Sequence, residues 1–199
     1  MTPDPDIQDI EKVLDGDVSA FRGIVLRHQD KILRLCAGIV GDSQAEDAAQ
    51  EAFLKAYNNL VRFEQKSKFS TWLYRIASNH CLDMTSKIKL KREDSLDAIV
   101  ENKGESADFR EAEDFVRGLE DRDTVRRLLD AVSPQARAIL LLREAEGLSC
   151  DEIAETLEIS LDTVKVRLFR ARKALLNEAR RLGLVTSARS QPSNEVKTP

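Results

Sequence analysis

Apolar positions recur along this chain at helical spacing, and the breaks between the runs mark out the elements. From residue 10 to about Gly41 the pattern predicts two helices divided near Gly16 and Asp17. In the second of these Phe21, Ile24, Val25, His28, Ile32, Leu35, Cys36 and Ile39 trace a broad stripe. A third helix is expected over 45–60, with Ala48, Ala49, Ala52, Phe53, Ala56, Tyr57 and Leu60 inward. Its outward positions are Glu46, Asp47, Gln50, Glu51, Lys55 and Asn58, so one end carries an acidic and polar patch. Residues 61–70 read as a polar loop holding Phe63 and Phe69. Ser70 stands where it can cap a fourth helix, on which Trp72, Leu73, Ile76, Ala77, Cys81 and Met84 repeat while Arg75, Asn79, Asp83 and Lys87 line the other side.

The pattern then lapses. Residues 93–124, interrupted by Gly104 and Ser106, read as a flexible or weakly helical linker. It resumes near Val125, and Ser133 followed by Pro134 marks the start of a helix running to Leu142. The stretch 148–173 then has the form of two helices around a tight turn. Ser149 and Glu152 make a capping box, and Ile153, Ala154 and Leu157 give the first helix its apolar face. Ile159 can plug the angle, Ser160 or Asp162 can cap, and Val164, Leu168, Ala171 and Leu175 form the inward stripe of the second helix. Lys165, Arg167, Phe169, Arg170, Arg172 and Lys173 are left for its other faces. This is a helix-turn-helix pattern whose second helix can enter a major groove. Glu158 occupies the turn position where glycine is usual, at about 1 kcal/mol if the backbone there goes left-handed. Without strand-like alternation anywhere, the chain reads as all-α with two small helical domains.

Composition sharpens the reading. The net charge of −4 looks wrong for a nucleic-acid binder until it is divided along the chain. Residues 93–124 hold 4 basic and 12 acidic side chains, a net of −8, whereas 163–183 hold 7 basic and 1 acidic. Lys87, Lys89, Lys91 and Arg92 form a second basic group. Local charge density is what a phosphate backbone responds to. Phe63, Phe69 and Trp72 beside Lys66 and Lys68 interleave aromatics with cations, the composition of a stacking platform for single-stranded nucleic acid. Three cysteines and two histidines, scattered, have neither disulfide-framework nor metal-ligand spacing, so no metal and no cofactor is expected. Cys36 reads as a core residue, and an exposed, redox-sensitive Cys150 beside the cap is the less favoured reading. The acidic first residues lack the apolar core of a signal peptide and no apolar run spans a membrane, which points to a cytoplasmic protein.

Three segments together, AEDAAQEAFLKAY at 45–57, FSTWLYRIASNHCLD at 69–83 and LSCDEIAETLEISLDTVKVRLFRARKAL at 148–175, carry a family resemblance. In this order they make residues 10–183 resemble the extracytoplasmic-function (ECF) sigma factors, promoter-specificity subunits of bacterial RNA polymerase. The resemblance implies a region-two domain over 10–92, an acidic linker over 93–124, a region-four domain over 125–183 and a disordered tail over 184–199. It implies that Asp47, Gln50, Glu51 and Phe53 dock on the beta-prime clamp of core RNA polymerase, with the beta flap as a further contact. Phe63, Lys68, Phe69, Thr71, Trp72, Arg75, Asn79, Asp83 and Lys87 would then read and melt the minus-ten element, one base being flipped into a pocket. Asp162, Thr163, Lys165, Val166, Arg167, Phe169 and Arg170 would read the minus-thirty-five element of promoter DNA. An anti-sigma factor is the regulator the resemblance implies.

Two departures from the family pattern stand out. Val166 replaces a small polar residue, favouring an apolar contact such as a thymine methyl. The stretch MTSKIKLKRE is poorer in arginine than usual. Two rivals explain less. A free-standing regulator leaves 45–57 and the aromatic loop without a role, and a purely structural helical protein does not explain the charge on 163–183. No nucleophile–base pair or phosphate-cradling loop suggests an enzyme.

Overall fold

The structure, a computed structural model, describes residues 4–89, 106–119 and 121–185. Residues 93–105 and 120 of the linker expected over 93–124, residues 186–199 of the tail expected over 184–199, the side chains of Lys87 and Lys89, and Lys91 and Arg92 lie outside the described residues. Among those described there are nine α-helices and no strand.

The first helix, α1 (Pro5–Leu14), starts earlier than the apolar pattern suggests. Asp4 caps it by accepting from the Asp6 N–H, and Pro5 takes the first turn, where a missing N–H costs nothing. Asp6 is buried: one oxygen accepts from Arg27 Nε at 2.8 Å and the other meets His28 Nε2 at 2.8 Å. Asp9 accepts from Arg27 Nη2 at 2.8 Å, and that guanidinium, with Lys12, holds its carboxyl below the usual range. This network fastens α1 to α2 (Phe21–Val40).

Gly41, at φ 87°, makes the sharp turn from α2 into α3 (Asp42–Asn58). With α4 (Phe69–Lys89) these helices form the first core. Ala48, Ala52 and Ala56 of α3 are fully covered, which lets its backbone come close to α2 and α4. Ile24, Ile32, Leu35 and Leu73 fill the space between, each stabilising by roughly 1.5–3 kcal/mol. Cys36 and Cys81 are buried where α2 meets α4.

The acidic segment is not featureless. Residues Ser106–Arg117 form α5, whose Ala112 and Val116 are buried against α9 (Leu161–Arg181). Around α9 also pack α6 (Arg122–Leu129), α7 (Pro134–Leu140) and α8 (Cys150–Leu157). Between α7 and α8 the chain makes a π-helical turn, Leu141–Ala145. The two halves pack on each other, α2 against α7 and the π turn, α4 against α8.

Candidate nucleic-acid interfaces

The helix-turn-helix forms as its caps dictate. The Ser149 hydroxyl accepts from the Glu152 N–H at 3.1 Å, and the Glu152 carboxylate accepts from the Ser149 N–H at 2.8 Å. That second bond holds the Glu152 carboxyl below its ordinary 4.5. Its contribution is present above that value and is lost as pH falls through the depressed one. Ser149→Ala is expected to lower stability by about 1 kcal/mol, read as a shift in the urea midpoint. Glu152→Gln is expected to flatten the acid side of the stability–pH curve; an unchanged acid limb would deny the carboxylate this role.

Glu158 takes the left-handed conformation, φ 54°, at the position where the sequence offers no glycine. Ser160 caps α9 by accepting from the Thr163 N–H at 3.1 Å. Val164, Leu168, Ala171 and Leu175 are buried as the stripe requires, and Ile159 packs against the core. The outward face of α9 carries Asp162, Lys165, Val166 and Arg170 exposed, with Thr163, Arg167 and Phe169 half-buried beside them. Val166 is 47% exposed, an apolar side chain presented among cations.

Arg172 is not on that face. Only 3% exposed, its Nε lies 2.9 Å and its Nη2 2.5 Å from one oxygen of Glu144, with Glu113 of α5 at 3.4 Å. Helical spacing cannot tell a solvated arginine from one buried against carboxylates of other elements.

At the end of α4 nearest the loop there is a cleft of about 460 Å³, walled by Phe63, Trp72 and Ile76 and edged by Asn59, Arg62, Glu64, Lys66, Ser67 and Arg75. Phe63, Phe69 and Trp72 form one aromatic cluster, with ring centroids 5.4–5.6 Å apart. Edge-on and tilted ring pairs of this kind contribute about 0.5–1.5 kcal/mol each beyond their burial. The platform is narrower than the composition suggests. Phe69, 1% exposed, is its buried base and also packs on His28, while Trp72 keeps an accessible side.

Of the other expected minus-ten residues, Thr71 is buried, Lys68, Arg75 and Asp83 are exposed, and Asn79 is half-buried on the same helix. Arg75 is ion-paired with Glu158 of the helix-turn-helix. Arg62 and Asn59 were missed by the pattern, although a cation directly before Phe63 is the kind of signal that marks a base-stacking wall.

On α3, Asp47, Gln50 and Glu51 are exposed, whereas Phe53 faces the core. Cys150 is half-buried at the start of α8. No described helix is long and apolar enough to cross a membrane.

Comparison with known proteins places both halves. Residues 24–90 match the Sigma-70 region 2 family and residues 122–175 match Sigma-70, region 4. The ECF RNA polymerase sigma factor SigW of Bacillus subtilis is 40% identical over 182 residues, covering 87% of this chain and 96% of that one. The RNA polymerase sigma-H factor of Pseudomonas aeruginosa is 39% identical over 88% of this chain and 94% of its own length. The ECF RNA polymerase sigma-E factor of Escherichia coli K12 is 35% identical over 87% and 93%. Among solved structures, CnrH in complex with the cytosolic domain of CnrY superposes with a TM-score of 0.62 at 21% identity, covering 89% of this chain and 99% of that chain. The sigma factor RpoE of Bartonella quintana, solved with the anti-sigma factor NepR, gives 0.61 at 21% identity over 80% and 96%.

Proposed function

Because the chain belongs to the ECF sigma factors, we propose that it docks on core RNA polymerase through α3 and recruits it to promoters through the cleft beside Trp72 and the outer face of α9. The observation that carries the reading is the presence, in one chain and in family order, of both matched halves, each exposing polar side chains suited to its part. Residues 10–92 are the region-two domain and 125–183 the region-four domain. Helix α5, packed on α9, extends the second body toward the first.

In the minus-ten element a base leaves the stack and enters the cleft, stacking on the accessible side of Trp72 with Phe63 behind. Arg62, Lys66 and Arg75 hold the adjoining phosphates. Stacking of this kind is worth about 1–3 kcal/mol per base, which shifts duplex melting toward the open state. Asn79 and Asp83 continue the contact one and two turns along α4, with Lys87 beyond. In the minus-thirty-five element α9 lies in the major groove, where Lys165 and Arg170 donate to base edges or phosphates and Val166 touches a thymine methyl. Asp162, Thr163, Arg167 and Phe169 frame that contact.

The protein performs no chemistry of its own, acts in the cytoplasm, and supplies specificity to the polymerase that does the catalysis. Its regulator is an anti-sigma factor, the kind of partner with which RpoE was solved.

The experiment is reconstitution with purified core polymerase and run-off transcription from genomic fragments. Asp47→Lys, which inverts charge on the exposed face of α3, is expected to weaken core affinity about tenfold, since reversing one rim contact costs on the order of 1 kcal/mol. Unchanged affinity would remove the docking role from this face, and failure of the unaltered protein to bind core enzyme would overturn the reading as a whole.

A further inference from the structure

We propose that the turn Leu141–Ala145 with Glu146, and the notch it fills on α2 and α4, form an intramolecular clasp that keeps the free chain closed, with the Arg75 edge of the cleft held by the helix-turn-helix instead of by DNA. For its consequence the proposal rests on the sigma-factor reading; the clasp itself rests on geometry.

Gly38 lies within α2, where glycine costs about 1 kcal/mol relative to alanine. A Cβ at this position would stand 2.4 Å from Leu141 Cδ1, so the absent side chain is the space that Leu141 occupies. Next to it the Glu146 side chain is only 2% exposed. One of its oxygens accepts the Tyr74 hydroxyl proton at 2.6 Å; the other has no hydrogen bond and lies 3.7 Å from Arg34. Burial, with this carboxylate beside it, pushes the Tyr74 hydroxyl well above its ordinary pKa. A buried carboxylate is tolerated only with partners, and Tyr74 and Arg34 both belong to the other half of the chain. When the halves part, Glu146 regains water and Leu141 loses its notch.

The π turn makes the arrangement possible. Its extra residue per turn, with the Glu146 N–H donating to the Leu141 carbonyl at 3.1 Å, brings both side chains toward α2 and α4. Such turns are rare and concentrate at functional positions. At the rim, Arg75 pairs with Glu158 and Arg126 with Asp42. Exposed pairs of this kind add little stability, so the buried contacts hold the clasp and the rim aligns it. The Arg75 pair has a functional consequence. While Glu158 holds Arg75, an edge of the cleft is engaged by the helix-turn-helix and is denied to a phosphate.

The test uses the full chain carrying Gly38→Cys and Leu141→Cys with Cys150→Ser. Leu141 Cγ lies 3.3 Å from where the Gly38 Cβ would be, close enough for the two new thiols to bond after the usual small adjustment. Under mild oxidation the free protein should staple, lose promoter-specific transcription at least tenfold, and recover on reduction. In a separate variant Tyr74→Phe with Glu146→Gln, which keeps the size of both side chains, the staple should form about tenfold or more slower, because a hydrogen bond to a buried charge is gone. A free chain that does not staple, or a stapled one that initiates undiminished, would overturn the clasp. Rapid stapling that the Tyr74 and Glu146 replacements slow, with no transcription in either redox state, would leave the clasp standing and remove the sigma reading instead.

Discussion

Replacing Arg172 by alanine is expected to destabilise the C-terminal half by about 3–5 kcal/mol, the cost of removing one partner from a buried ion pair. The guanidinium is 3% exposed and lies between Glu144, at the π turn, and Glu113, on α5. Its loss leaves Glu144 without its guanidinium partner and Glu113 with only the exposed Arg117, and it opens a void along α9. Against a typical total of about 5–15 kcal/mol this is a large fraction. Urea unfolding followed by far-ultraviolet circular dichroism reads the effect, and hydrogen exchange should show α5 losing protection first. Arg172→Met with Glu144→Gln, which removes the charges while keeping bulk, should recover much of the loss. A shift below about 1 kcal/mol in the alanine variant would mean that the carboxylates find water easily and that the triad is not a structural anchor.

Lys165→Ala combined with Arg170→Ala is expected to reduce initiation at promoters that depend on the minus-thirty-five element by roughly a hundredfold. Both side chains are exposed on the outward face of α9. Each specific contact to a base edge is worth about 1–3 kcal/mol, so two together give on the order of 2–6 kcal/mol, of which polymerase contacts elsewhere mask a part. Core-enzyme affinity should be unchanged, because α3 is untouched. The measurement is run-off transcription across promoter variants, with core binding measured in parallel. Equal losses on promoters with and without the element would show that these cations contribute general electrostatic attraction instead of readout.

Much of this was legible because local rules and the fold agree. The capping box at Ser149 and the inward stripe from Val164 to Leu175 follow from short-range chemistry, and the structure has both, whereas Glu158 goes left-handed against its own local preference. What was hidden depends on distant partners. Asp4 followed by Pro5 is a sound helix-start signal, yet the apolar pattern opens the first helix only at residue 10; the burial of Asp6 follows only from His28 and Arg27 standing opposite. In α5 the apolar positions Ala112, Phe115 and Val116, with Leu119 just past its end, do recur at helical spacing, but the density of acidic residues masked them until α9 was there to receive them. Arg172 and Phe69 have the residue types of a nucleic-acid surface and are core residues, because type and period specify a face of a helix and not what packs on it. The contact of Tyr74 with Glu146 joins residues 72 apart in sequence, and nothing local announces it.

Because α5 packs on α9, the connection between the halves is shorter than the acidic segment suggests. From the end of α4 at Lys89 to the start of α5 at Ser106 the chain has 17 steps, 106 minus 89. Fully drawn out, at about 3.3–3.6 Å per residue, that is a tether of at most about 60 Å. On a duplex rising 3.4 Å per base pair the same length corresponds to roughly 17 base pairs. This reach, added to the size of the two halves, is an upper bound on how far apart the sequences they contact can lie. Lengthening the tether by inserted glycine and serine should widen the range of spacings between promoter elements that one protein can bridge, while deleting a few residues should impose a sharp upper limit.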